Sequence, residues 1–492
     1  MTASYILSVD QGTSGTKAVI FDDRGEQVEK ANVPLETIYK KGGWVEQNPE
    51  SIFRNVVQAV EECVASFEGG GKSKSMIKSC GISNQRETFL VWNKHGEPLY
   101  EAIVWQCKRS SSICEKLKKA GREPFIKEKT GLIIDPYFSG TKLMWLNQHN
   151  QGVAEAIQRG EAYFGTVDTW LLYKLTKGEK YLTDYTNACR TLFFNIEILD
   201  WDAEIIREFG LEGLNLPQVK FSSSFFGSSD FEGIFTEELP ITAMIGDSHA
   251  AAFGEQCFSP GTAKATLGTG CSVLMNIGKK PKFSENGMVT TICWSTNNEI
   301  NYALEGIIVS CGSTIEWLKN ELDLFADSTE TGKMAQSVKD NNGVYLVPAF
   351  SGMGAPYWEM DRKASIEGLT FDCNKNHIVR AALESIPYQI KDVIKAMEKD
   401  GNLNLKELNI DGGIRNNSFV TQFLADLLEK PVNFLNIADV SALGAAYLSG
   451  LTSGLFRDLE HLKELQECHE IHPNRKRSME TNYEGWLKAV KR

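Results

Sequence analysis

Short apolar runs separated by glycines and charged residues open the chain. Residues 5–10 read as a strand, Gly12 and Gly15 as a tight turn, and 17–21 as the returning strand; Asp22-Asp23-Arg24-Gly25 then turns the chain into a third strand from Glu26. The period changes after Trp44. Asn48 fits an N-cap and Pro49 the first helical position, and Phe53, Val56, Val57, Val60, Val64 and Phe67 form one apolar stripe that Gly69-Gly70-Gly71 ends. A buried strand at 78–82 follows, so the pattern predicts a mixed α/β fold.

The second half repeats the opening device. Residues 262–267 and 272–277 read as strands around the turn Gly268-Thr269-Gly270. Thr13 and Thr269 lie about half the chain apart, which predicts one β-turn-β unit in each of two domains facing a common cleft, with the boundary near 254–260. A third turn, Asp411-Gly412-Gly413-Ile414-Arg415-Asn416-Asn417, leads from a strand at 408–410 into a helix with Phe419, Val420, Phe423, Leu424, Leu427 and Leu428 on one face.

Composition removes several classes of function. The 492 residues are too many for one core at about 150 residues per domain. The net charge is −12 and no long Lys/Arg run occurs, against a nucleic-acid partner. The densest basic stretch, His472 to Arg477, is short and expected on a solvated face. No apolar run approaches the roughly 18 residues of a membrane helix, and no targeting pattern opens the chain, so the expectation is a cytoplasmic protein without a membrane partner. Eleven cysteines without a CxxC pair and seven histidines without metal spacing argue against a resident metal. Gly70-Gly71-Lys72-Ser73 imitates a phosphate loop, but Ser66 stands where that loop requires glycine. Neither GxGxxG nor GxSxG is present, which removes the dinucleotide and hydrolase signatures.

The remaining chemistry points to phosphate. Asp10-Gln11-Gly12-Thr13-Ser14-Gly15-Thr16-Lys17 combines a carboxylate able to hold hydrated Mg2+, glycines that let backbone N–H groups approach phosphate oxygens, hydroxyl donors, and a lysine on the returning strand. A glycine turn ahead of a helix, as after Asp411, favours anions. Three such turns in this order match the nucleotide cleft of the actin-like ATPase fold.

Longer runs make the match specific. Asn84-Gln85-Arg86-Glu87-Thr88, Ala102-Ile103-Val104-Trp105-Gln106-Cys107, Asp135-Pro136-Tyr137-Phe138-Ser139-Gly140-Thr141-Lys142, Gly165-Thr166-Val167-Asp168-Thr169-Trp170, Gly246-Asp247, Tyr302-Ala303-Leu304-Glu305-Gly306 and Ala442-Leu443-Gly444-Ala445-Ala446-Tyr447 resemble the FGGY family of carbohydrate kinases along nearly the whole chain. The resemblance implies two RNase H-like domains with mixed sheets flanked by helices, 1–254 binding substrate and phosphate and 255–492 binding nucleotide. It implies ATP and Mg2+ as cofactors, and a small polyol, glycerol by default, phosphorylated on a terminal hydroxyl. By the same resemblance Arg86, Glu87, Trp105, Tyr137 and Asp247 hold the polyol, with Asp247 as catalytic base. Thr13, Ser14, Lys17, Thr269, Gly312, Glu316, Gly413 and Asn417 meet the nucleotide, and Asp10, through water, and Asp247 meet the metal.

Some positions depart from the pattern. Lys17 stands where an arginine is familiar and Glu316 where a glutamine contacts nucleotide. Ser248 replaces a glutamine that touches glycerol, and Ser272 a phenylalanine that packs against its carbons. Two large-to-small changes predict a roomier, more polar pocket, with erythritol, threitol, erythrulose or xylulose as alternative substrates. The family precedent also implies a homodimer or homotetramer. The glycine- and arginine-containing loop with which some members of the family bind fructose 1,6-bisphosphate has no good counterpart at 228–237, and no histidine lies there for phosphorelay control, so neither mode is expected.

Overall fold

The computed structural model describes residues 4–297, 299–474 and 479–491, so Arg475 to Arg477 of the basic stretch lie outside the described residues. The three opening strands form antiparallel as the alternation predicts: β1 (Tyr5–Gly12), β2 (Gly15–Asp22) and β3 (Gln27–Pro34). The helix α1 (Pro49–Gly69) begins where its cap was read, the Asn48 side chain accepting from the Ser51 N–H at 3.0 Å. Its buried stripe, including Val56, Val60 and Phe67, shares a core with Leu7, Val9 and Ile20 of the sheet beneath. The sheet is completed by β4 (Ile77–Asn84), β5 (Ser223–Ser229) and β6 (Leu239–Gly246), in the order β5-β6-β4-β1-β2-β3. β4 runs parallel to both β1 and β6, and its buried face is continuous, as expected of a strand covered on both sides.

A second sheet contains β7 (Thr262–Leu267), β8 (Cys271–Gly278), β9 (Val289–Thr296), β10 (Glu299–Ile308), β11 (Glu407–Asp411), β12 (Val432–Leu435) and β13 (Cys468–Ile471), ordered β9-β10-β8-β7-β11-β12-β13. Without β5 in the first sheet and β9 and β13 in the second, the two sheets have the same path: β3-β2-β1-β4-β6 in one and β10-β8-β7-β11-β12 in the other. Antiparallel and parallel pairings also fall in the same places. The duplication read from two glycine turns therefore extends to whole sheets.

One region has no counterpart in the sequence reading. Strands at 38–40, 44–47, 89–92, 102–103 and 163–166 make a five-stranded sheet with its own core of Val45, Phe89, Ile103, Phe138 and Phe164. Strands this short leave no alternation to detect. Helix α2 (Ser139–His149) belongs to this core.

The two halves meet through helices. After β6 comes α3 (Asp247–Gly254); the second half contributes α4 (Gly312–Asn320), α5 (Lys375–Gly401), α6 (Ser418–Leu428) and α7 (Val440–Ser453). Although α7 follows β12, it packs on β1, β4 and β6 of the first sheet and crosses α3. Backbones touch at that crossing: a Cβ on Gly444 would lie 1.9 Å from the Ala250 carbonyl oxygen. No helix among the described residues is long and apolar enough to cross a membrane.

Candidate active site

Between the sheets lies a cavity of about 400 Å³, lined by Asp10, Lys17, Arg86, Asp247, Ser248 and Ser272, and also by Lys264, Thr266, Asp411 and Asp439. The first six come from the sequence reading; of the last four only Asp411 does, as the start of the third glycine turn. Strand geometry explains the convergence, since Asp10 sits near the end of β1, Asp247 starts α3 directly after β6, and Asp411 ends β11. All three strands aim their C-terminal ends at one crevice, the usual ligand position in parallel α/β sheets.

Asp247 is 40% exposed at the cavity wall and lies 3.3 Å from Arg86 Nε. Its Oδ1 accepts from the Ser248 N–H at 2.6 Å. Desolvation between the domains pushes its carboxyl above the ordinary carboxylate value, with Arg86 pulling the other way. Asp10 is likewise raised by burial, opposed by Lys17 and by the Ser83 hydroxyl, which donates at 2.9 Å. Lys17 itself is ion-paired with Asp439 at 2.8 Å, and Lys30 holds the other oxygen of Asp439 at 2.6 Å.

Beside the cavity runs a buried ionic network that crosses from one half to the other. Glu305 on β10 receives Arg86 Nη2 at 2.9 Å and Nη1 at 3.3 Å, and lies 2.7 Å from Arg190 Nη1. Arg190 Nε donates to Glu87 Oε1 at 2.6 Å. Burial alone would raise the Glu305 carboxyl; Arg190 and Arg86 reverse this and hold it well below the usual range. Glu87 has a φ of 60°, a left-handed conformation rare outside glycine, and Ser139 of α2 donates to its carbonyl at 2.8 Å. Neither Glu305 nor Arg190 entered the sequence-based site. The available signal was a charged residue inside an apolar strand, Ala303-Leu304-Glu305-Gly306; Arg190 carried no comparable one.

Trp105 and Tyr137 stand edge to face with ring centroids 5.5 Å apart. Beneath them Lys142, fully buried, donates to the carbonyls of Pro136 at 2.7 Å and Tyr137 at 2.6 Å, with that of Trp105 at 3.5 Å. One ammonium thus fastens both segments carrying the aromatic wall. Burial lowers the Lys142 ammonium to about 8. Trp105 Nε1 in turn donates to Thr13 Oγ1 at 2.9 Å, which ties the first glycine turn to this wall.

The other sequence-derived residues lie around the cavity without lining it. Ser14 and Thr269 are exposed at their turns, and Gly312 opens α4 with its N–H on the Gly268 carbonyl at 2.9 Å. Glu316 is exposed on α4, and Gly413 is exposed with open space where a Cβ would stand. Asn417 caps α6, accepting from the Phe419 and Val420 N–H groups. Gly412 does need to be glycine, because its φ is 87° and a Cβ would lie 2.4 Å from the Leu267 carbonyl oxygen. Ser248 and Ser272 face each other at 3.4 Å, and Ser272 donates to Glu305 at 3.2 Å.

A duplicated sheet with carboxylates at the strand ends and glycine turns around a shared cleft defines a phosphotransferase class, and comparison with known proteins agrees. Residues 5–254 match the N-terminal domain, and 263–453 the C-terminal domain, of the FGGY family of carbohydrate kinases. The chain belongs to that family and is an ATP-dependent phosphotransferase. It is 45% identical over 494 residues to the glycerol kinases of Citrobacter koseri and Salmonella newport, covering 99% of this chain and 97% of each relative. A crystal structure of Plasmodium falciparum glycerol kinase with ADP matches with a TM-score of 0.94 at 35% identity, covering 99% of this chain and 98% of that one. The xylulose kinase of Lactobacillus acidophilus shares the fold, with a TM-score of 0.86 at 23% identity over 96% of this chain and 94% of that one.

Proposed function

We propose that the protein transfers the γ-phosphoryl group of ATP to a terminal hydroxyl of glycerol, yielding glycerol 3-phosphate. The observation that carries this reading is the shared cavity, where the polyol-type ligands Arg86 and Asp247 and the phosphate-side residues Asp10, Lys17 and Asp411 face one another. Arg86, Glu87, Trp105 and Tyr137 bind the polyol, guanidinium and carboxylate taking its hydroxyls and the aromatic pair covering its C–H face. Asp247 accepts the hydroxyl proton as the oxygen attacks phosphorus. The turns at Thr13, Ser14, Thr269 and Gly413, with Lys17, Gly312, Glu316 and Asn417, receive the nucleotide. In this division residues 1–254 bind polyol and phosphate and 255–492 bind nucleotide.

The donor set fits a hydrated divalent cation. Asp10 and Asp247 line the same cavity, and burial raises both carboxyls, a penalty that a cation would relieve. Mg2+ held there through water would supply charge neutralisation to the polyphosphate. The reading extends to a cytoplasmic enzyme that self-associates as a homodimer or homotetramer, which fractionation and light scattering test.

One observation favours a second reading. The Ser248 and Ser272 hydroxyls present a polar wall to the cavity, suited to the extra hydroxyl of a four- or five-carbon polyol or ketose. Initial rates of ADP release with glycerol, erythritol, threitol, xylitol, dihydroxyacetone, erythrulose and xylulose decide between the readings, with Asp247→Asn as blank. Glycerol giving the highest kcat/KM upholds the first. A longer acceptor ahead by about 10-fold, worth about 1.4 kcal/mol, establishes the second.

A further inference from the structure

Three cations line the cavity, and two of them already have a carboxylate partner. Lys17 is paired with Asp439 and Arg86 with Glu305 and Asp247. The third, Lys264, is 1% exposed, and its ammonium donates to the Thr266 hydroxyl at 2.7 Å. Among the described residues no carboxylate stands within ion-pair distance of it. Asp411 is reached only indirectly, through Thr266, whose hydroxyl donates to Oδ2 at 3.1 Å. An ammonium has three N–H donors, and burying a charge is unfavourable unless an anion or a full set of acceptors meets it.

The strand explains why Lys264 faces the cavity. On β7, Ala263, Ala265 and Leu267 enter the core of the second half, so the alternate residues Lys264 and Thr266 turn to the opposite face. That face looks into the cleft, and the field of Lys264 is felt by Asp247, Asp411 and Glu255 around it. A buried cation between the base and the third glycine turn is placed for an anion that comes and goes.

We propose that Lys264 is a catalytic residue that neutralises the phosphoryl group during transfer; this rests on the kinase reading above. In that step the acceptor oxygen forms a bond to phosphorus and gives its proton to Asp247. The bond from phosphorus to the β-phosphate oxygen breaks, and ADP leaves with the electron pair. Lys264 loses no proton and neutralises charge on the oxygens in transit.

The test compares equilibrium binding with turnover in the full-length enzyme and in Lys264→Met and Lys264→Arg. Calorimetry gives the affinities of glycerol, glycerol 3-phosphate, Mg·ADP and Mg·ATP. For Lys264→Met the expected result is a fall in kcat of about 100-fold, in line with loss of one preorganised donor. Glycerol 3-phosphate and Mg·ATP should bind at least 10-fold more weakly, and glycerol and Mg·ADP within 2-fold of wild type; Lys264→Arg should recover part of each loss. Equal affinities for all four ligands, or a loss for glycerol as large as for its phosphate, would overturn the proposal and leave Lys264 as a counter-ion of the three carboxylates. Should Lys264→Met fail to fold, a crystal of the wild type soaked with glycerol 3-phosphate decides. A phosphate oxygen within hydrogen-bond reach of Lys264 Nζ supports the role, and a phosphate held elsewhere refutes it. A wild type that phosphorylates no polyol would refute the kinase reading instead, and the difference between Mg·ATP and Mg·ADP affinity would still test Lys264.

Discussion

The two ends of the site treat charge in opposite ways. At the polyol end Arg86, Glu305, Arg190 and Glu87 form a chain of buried ion pairs in which every charge already faces an opposite one, although Arg190 Nη1 and Nη2 lack a well-aligned hydrogen-bond acceptor. At the phosphate end Asp10, half-buried, and Asp411 and Lys264, both buried, make their close contacts with hydroxyls, and among the described residues none of them forms a direct ion pair. A neutral polyol requires hydrogen-bonding groups already oriented, and this chain of ion pairs holds them in place. A polyphosphate brings its own charge, so groups at that end gain counter-charge only when it arrives.

This contrast can be broken at several points. The largest effect is expected from Asp247→Asn, which removes the proton acceptor while keeping its shape: kcat should fall about 10²–10⁴-fold, far more than the loss of polyol affinity from one weakened contact, measured by ADP release and by calorimetry. Next is Glu305→Ala, which leaves two buried guanidiniums without their common carboxylate. A loss of about 3–5 kcal/mol in stability is expected, read from denaturant unfolding, together with a raised polyol KM. A variant that unfolds like wild type would show that Glu305 does not hold the two guanidiniums in solution.

The pH profile sharpens the comparison. Lys142 is depressed to about 8, so above that pH the folded protein loses the proton, and a neutral amine has two N–H groups for three carbonyls. Polyol kcat/KM should therefore fall as pH rises through about 8, while Lys142→Arg, which stays charged, should move that fall upward. On the acid side Asp247, raised above its ordinary value, must be deprotonated to act, so activity should rise with pH through a carboxyl step. The smallest change is expected for Asp439→Asn. Lys17 and Lys30, which share this carboxylate, are 38% and 33% exposed, so losing both pairs should cost about 1 kcal/mol and shift the KM for ATP only a few-fold.

Much of this was legible in the residues because it rests on local rules. The strands beside Gly12 and Gly268, the Asn48 cap and the helix after Asn417 follow from period and turn chemistry, and topology then extended one repeated turn to two matching sheets. What escaped was set by distant contacts. Glu305 meets Arg86 across the two halves, Lys264 acquires meaning only from its place between Asp247 and Asp411, and the two- to four-residue strands of the extra sheet carry no period. The sequence division after residue 254 likewise could not show that α7 lies on the first sheet, because packing, not chain order, decides its place.

The contact between Gly444 and the Ala250–Gly254 turn of α3 also bears on how the enzyme can move. Asp247 lies three residues from Ala250, about 5 Å along the helix at 1.5 Å per residue. If the halves swing about that contact, Asp247 on so short a lever arm moves far less than atoms at the rims of the cleft. The glycine crossing would then act as an axle: the jaws open wide enough to exchange nucleotide, and the proton acceptor stays almost where the chemistry needs it.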